Sequence, residues 1–205
     1  MANKKNKVKF GLKNVYYAKA TFDDDGNVTY GTPTRIPGAV NFSMDPEGEN
    51  EPWYADNIVY VVLNNNSGYS GDLEIAIIPE SFYTEILHEE LDSNGVMAEN
   101  TEVEVEHFAL MFQFEGDKFA TRHVLYNCTC SRPAMESATT EDSKEPQTDT
   151  LSLTASALAN GYVKAKTCST TSEDVYNSWF DAVYEPQAAA AETTSEEDTE
   201  DDANG

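Results

Sequence analysis

Four groups of side chains in this 205-residue chain have types and spacing that chemistry could use. Glu102, Glu104 and Glu106 alternate with Val103, Val105 and His107, which sets three carboxylates on one face of a strand. A carboxylate pair such as Glu102 with Glu104 would suit acid and base roles in hydrolysis, yet alternate acids without a cleft are equally an ordinary solvated strand face. His107 and His123 flank two apolar runs on either side of Gly116 and Asp117, so a turn there would bring two imidazoles toward each other. Catalysis from such a pair would still need a nucleophile, and metal binding a third ligand.

Cys128 and Cys130 stand one residue apart, with Cys168 far along the chain. Three cysteines in this pattern match neither a secreted disulfide framework nor the paired clusters of a zinc site, so they read as reduced thiols with no metal. The run Asp23-Asp24-Asp25-Gly26-Asn27 has the acids of a calcium loop but lacks the later bidentate glutamate. It reads instead as a turn, because Asp-Gly tolerates positive φ. No nucleophile elbow, zinc-protease helix motif, phosphate-binding glycine loop or dinucleotide fingerprint is present, so neither an enzyme nor a cofactor is expected.

The elements that would position these groups are mostly strands. Leu151, Leu153, Ala155 and Ala157 alternate with Thr150, Ser152, Thr154 and Ser156, giving one apolar and one hydroxyl-rich face. Phe108, Leu110, Phe112 and Phe114 share a face, and Val124, Tyr126, Cys128 and Cys130 are expected to share another, the cysteines as small core fillers. The β-branched run Ile58 to Leu63 predicts a strand buried on both faces, followed by a turn over NNNSGYSG and a strand marked by Leu73, Ile75 and Ile77. Helical periodicity is confined to two segments. Pro79 to Leu91 carries the stripe Phe82, Ile86, Leu87 and Leu91 with Gly95 beyond, and Ser172 to Tyr184 carries Val175, Trp179, Phe180 and Val183 behind a Ser172 cap. Two helices among many strands predict a mainly β fold, an antiparallel sandwich or barrel with one or two peripheral α-helices.

Asp45, Glu47, Glu49 and Glu51 lie in a loop that leads to Trp53 and Tyr54. The two readings are a core tryptophan and a projecting loop whose aromatic pair anchors a neighbouring subunit.

The formal net charge is −24. Such a surface repels phosphates rather than gripping them. The segment from Gln187 to Gly205 holds seven acids, no base and no large apolar residue, so it is expected to be a disordered tail; without it the chain still carries −17. Six of the thirteen basic residues, Lys4 to Lys19, cluster at the start and read as a solvated arm. No apolar run is long enough for a helical membrane span, and the opening MANKKNKVKF lacks the apolar stretch of a secretion signal, so no membrane association is expected.

Seven segments in order make the sequence resemble a known family. They are KVKFGLKNVYYAKAT, TYGTPTRIPGAVNFSMDPEGENEPWYADN, GYSGDLEIAIIPESF, LDSNGV, TRHVLYNCTCSRPAMES, EDSKEPQTDTLSLTASA and YNSWFDAVYEP. The chain is similar to the major tail proteins, or tail tube proteins, of long, flexible-tailed bacteriophages of Gram-positive bacteria. The resemblance implies a tail-tube β-sandwich of two packed antiparallel sheets over residues 8–186, preceded by a basic arm at 1–7 and followed by the acidic tail at 187–205. It also implies a structural role without catalytic or cofactor residues. Such subunits form hexameric rings that stack around a tape-measure protein, meet tail terminator and distal tail proteins at the ends, and let the genome out through the tube. The implied location is the virion tail, assembled in the host cytoplasm, with DNA passing through without specific binding. Some relatives continue into an immunoglobulin-like module, whereas here an acidic, alanine-rich extension follows Pro186, so no such surface-binding decoration is expected from this segment.

On this reading Asp45, Glu47, Glu49, Glu51, Trp53 and Tyr54 are expected at contacts between subunits or rings, and Glu102, Glu104 and Glu106 on the lumen wall. A β-sandwich adhesin or carbohydrate-binding module is the alternative, and a hydrolase built on the acidic pair a third class.

Overall fold

The computed structural model describes residue 8 and residues 10–116, 119–137, 139 and 146–187. The basic arm at 1–7, Asp117 of the expected turn, part of the EDSKEP segment and the acidic tail beyond Gln187 lie outside the described residues.

The chain runs β1 (Leu12–Phe22), β2 (Val28–Tyr30), β3 (Thr34–Ile36), β4 (Ala39–Glu47), β5 (Asn50–Ala55), β6 (Ile58–Asn64), β7 (Gly68–Ile75), α1 (Glu80–Glu85), β8 (Glu90–Leu91), β9 (Met97–Ala98), β10 (Phe108–Phe114), β11 (Arg122–Cys130), β12 (Asp149–Ser156), β13 (Lys164–Lys166) and α2 (Glu173–Asn177). Nine strands form one sheet in the order β2-β1-β10-β11-β12-β7-β4, with β3 added to β1 and β13 to β11. Every pairing is antiparallel. The sheet curls until β4 comes back against β1, so its two halves face each other as the layers of a sandwich. The expected mainly β architecture with two short helices is what the chain adopts. No described helix is long and apolar enough to cross a membrane.

The inner core gathers Tyr17, Leu73, Ile75, Phe82, Phe108, Leu110, Leu125 and Leu151. Strand β12 buries Leu151, Leu153 and Ala155 and exposes Thr150, Ser152, Thr154 and Ser156, following its two-residue period. Strand β10 is buried on both faces instead. Phe108, Leu110 and Phe112 enter the inner core, while Ala109 and Met111 face an outer cluster closed by Trp179 and Val183 of the C-terminal segment. That segment keeps its expected cap and apolar stripe but not its expected length: Ser172 Oγ accepts from the Val175 amide at 3.4 Å to cap α2, the helix stops at Asn177 short of Tyr184, and Val175 and Phe180 still pack on the outer cluster.

Local corrections have identifiable causes. Val124 and Tyr126 do not share a face with Cys128 and Cys130: the first two enter the outer cluster and the cysteines the inner core. Phe108 pairs with Cys128 but Leu110 with Leu125, so β11 carries an extra residue, and a bulge reverses the alternation. The first helix ends at Glu85, short of Leu91, because His88 turns the chain at φ 56° and Leu91 is left exposed in β8. Phe82, Ile86 and Leu87 are buried as expected. Ile77 falls beyond β7 and is exposed, and the expected NNNSGYSG turn shrinks to residues 65–67 because Gly68 already belongs to β7.

The Asp23 segment is a turn. Asp23 Oδ1 accepts from the amides of Asp25 (3.0 Å) and Asn27 (2.7 Å), and Oδ2 from Asn27 Nδ2 (3.0 Å), which holds this carboxyl below its ordinary range.

Candidate assembly surface

The largest departure from the expected fold lies between β4 and β7. Asp45 to Asn57 is not a loop: Asp45 and Glu47 end β4, Glu49 lies in the short connection, and Glu51, Trp53 and Tyr54 belong to β5. Among the described residues β5 pairs only with β6, from Asn50 opposite Asn64 to Ala55 opposite Ile58, as a separate two-stranded sheet. Asp56 (φ 52°) and Asn57 (φ 62°) close it with the two left-handed residues that a type I′ hairpin turn needs.

Glycines fix the root. A Cβ on Gly48 (φ 129°) would meet the Asn65 carbonyl oxygen at 2.0 Å, and one on Gly68 (φ 112°) would meet that of Ala155 at the same distance. The Ser67 amide donates to the Glu47 carbonyl at 2.9 Å across this root.

Ile58 to Leu63 was expected to be buried on both faces and is exposed on both, each side chain between 43% and 69%. Trp53 is 55% and Tyr54 61% exposed, so Trp53 is not a core residue. A continuous apolar run signals burial but not by what, and among the described residues nothing covers this one. Burying any one such side chain fully is worth about 1.5–3 kcal/mol, and an isolated two-stranded hairpin is only marginally stable in water. Apolar strands of this length left in solvent mark a surface made for protein contact.

A second surface escaped the sequence reading. The outer face of β4, β7 and β12 consists of cross-strand rows: Asn41-Glu74-Thr150, Ser43-Asp72-Ser152 and Asp45-Ser70-Thr154. Ser152 Oγ donates to Asp72 Oδ1 at 2.7 Å, Thr148 Oγ1 to Glu74 Oε1 at 2.6 Å, and Ser70 Oγ to Glu47. These rows present acids and hydroxyls and no base. The signal was there in the hydroxyl-rich face of β12, but only the strand order shows which acids lie beside it.

Glu102, Glu104 and Glu106 do not share a strand face, because residues 99–107 form no ladder. Arg132 takes over the backbone of this segment, donating to the carbonyls of Asn100 (3.4 Å) and Val103 (3.2 Å) while its Nε pairs with Glu99 at 3.1 Å. Glu102 and Glu104 are exposed, whereas Glu106 binds Lys19 Nζ at 3.0 Å and His88 Nε2 at 2.8 Å. The two histidines do not face each other. His123 stacks on Phe112 with centroids 5.0 Å apart, and His107 meets Asn127 Oδ1 at 2.6 Å near the other end of the β10–β11 pair.

The cysteines divide by environment. Burial pushes the Cys130 thiol up to about 12 and the fully buried Cys128 thiol in the same direction, whereas hydrogen bonds from Thr170 and Thr171 lower exposed Cys168 to about 7.

A curled β-sandwich that holds an apolar hairpin out in solvent, next to an acidic, hydroxyl-rich sheet face, defines a structural protein built to associate. The family model described as phage tail tube protein matches residues 1–162, and the chain belongs to the phage tail tube protein family. Its role is therefore that of a structural component of a phage tail tube, placing it in the virion tail. No curated protein matches the sequence.

Proposed function

We propose that this chain is a non-enzymatic major tail protein whose copies close into hexameric rings, the rings stacking around a tape-measure protein into the conduit for genome ejection. Assembly takes place in the host cytoplasm, and tail terminator and distal tail proteins bound the tube. The number six and these partners rest on the resemblance. The exposed β5–β6 hairpin carries the reading, because its apolar surface is a liability to a lone monomer and an asset to a polymer. Asp45, Glu47, Glu49, Glu51, Trp53 and Tyr54, on or beside this hairpin, serve contacts between subunits or rings.

The rows formed by Asp45, Asp72 and Glu74 with Ser152 and Thr154 are the better lumen wall, since fixed acids and hydroxyls repel phosphate along a flat sheet face. Glu102 and Glu104 remain lumen candidates as exposed loop acids; Glu106 is neutralised by its neighbours. Repulsion between acidic subunits is confined by a screening length of about 8 Å at physiological salt, so apolar contacts prevail at the joints.

The test is negative-stain microscopy of purified protein across concentration and salt, without and then with tape-measure protein. Hollow tubes are expected. A persistent monomer under both conditions would overturn the reading.

A further inference from the structure

We infer that the hairpin tip of one copy seats in an apolar cleft of a second copy, floored by Phe42, Met44 and Phe112 and rimmed by Tyr69 and Lys164. This rests on the tube-subunit reading and adds the receiving site.

The cleft, about 310 Å³, is where the inner core opens to solvent between β4, β10, β11 and β13. Its floor is aromatic: Phe42 and Phe112 lie with centroids 4.4 Å apart. Phe42 and Met44 pack against the inner core yet remain only partly buried, so an inserted ring would complete their contacts. The tip offers Tyr54, 61% exposed, beside the Asp56-Asn57 turn, with Trp53 and Tyr60 just behind it.

Charge selects this receiver over another hairpin. No lysine or arginine occurs from residue 36 to 117, so two hairpins laid together would bring Glu49, Glu51 and Asp56 against their like. The complement must come from the few bases elsewhere. Lys13, Lys19 and Arg132 are engaged by Glu115, Glu106 and Glu99 at 2.6, 3.0 and 3.1 Å. Among the described residues no carboxylate pairs with Lys164 or Lys166, which share one face of β13. Lys164 Nζ instead lies 4.2 Å from the centroid of the Tyr69 ring at the cleft rim, placed to meet Asp56 of an incoming tip. Arg35 and Arg122 also have no carboxylate among these pairs, but neither lines the cleft, and Arg122 lies over the Tyr176 ring at 3.9 Å.

The experiment places a photo-reactive phenylalanine analogue at Tyr54 of the full chain and mixes isotope-labelled with unlabelled copies under tube-forming conditions, with tape-measure protein supplied. Crosslinked peptides joining position 54 of one copy to Phe42–Met44 or Lys164–Lys166 of another are expected. Lys164→Glu, with unchanged circular dichroism, should lower crosslink yield about tenfold, less at high salt. Tubes whose crosslinks map elsewhere, or an undiminished yield in Lys164→Glu, would overturn the cleft assignment and leave the tube reading standing. Crosslinks within one copy would also overturn it. Absence of tubes would overturn both.

Discussion

Trp53 on β5 meets Tyr60 on β6 edge to face, their centroids 5.8 Å apart at 82°, and both rings stay more than half exposed. The pair holds the hairpin together across its strands while leaving most of its aromatic surface for a partner. In a single-chain core such rings would be covered; under the proposed function the uncovered surface serves assembly.

Replacing Trp53 or Tyr54 with alanine should therefore separate folding from assembly. Thermal unfolding of the monomer should move by no more than about 0.5 kcal/mol, as for an exposed site. Polymerisation, followed by light scattering, should weaken by about 2 kcal/mol, the scale of an interface anchor. Equal loss of both would show that the aromatics serve the monomer instead.

Charge reversal discriminates the two candidate lumen surfaces. The double change Asp72→Lys with Glu74→Lys is expected to leave tubes visible by microscopy but slow genome release, because phosphates would adhere to the wall. Glu102→Lys with Glu104→Lys is the comparison, expected to have the smaller effect; the reverse ranking would assign the lumen to the 99–107 loop.

Thiol labelling should resolve one cysteine from two. With its thiol lowered to about 7, Cys168 becomes mostly thiolate as pH rises through neutrality, so iodoacetamide labelling should climb between about pH 6 and 8 and then level off. Cys128 and Cys130, raised by burial, should stay unlabelled in the native protein and react only in denaturant, as mass spectrometry would count.

Phe82 sits edge-on to Tyr17 (5.1 Å) and Phe108 (5.5 Å) and is fully buried. Phe82→Ala should cost about 3–5 kcal/mol in urea unfolding, through lost transfer energy and the cavity left behind. A loss under 1 kcal/mol would mean that α1 detaches without consequence for the sandwich.

By itself the sequence determined the elements whose partners are local or whose two faces differ. The alternation in β12, the turn at Asp23 to Asn27, the Ser172 cap and the Trp179 and Val183 stripe could all be read in advance, because strand period, turn chemistry and capping act within a few residues. The Asp56-Asn57 turn was not anticipated, because the acidic residues before Trp53 read as a loop and hid the pairing of β5 with β6 that two adjacent left-handed residues close.

What only the tertiary structure decided concerns which neighbours each face meets. The bulge in β11 moved Cys128 and Cys130 to the opposite face from Val124 and Tyr126, and the Glu102 segment joins no ladder, its backbone carbonyls at Asn100 and Val103 bonded by Arg132 instead. Ile58 to Leu63 has the composition of a core strand, yet among the described residues both of its faces are exposed. The physical reason is common to all three: apolar pattern records that a residue avoids water, whereas the pairing of strands distant in sequence fixes what replaces the water.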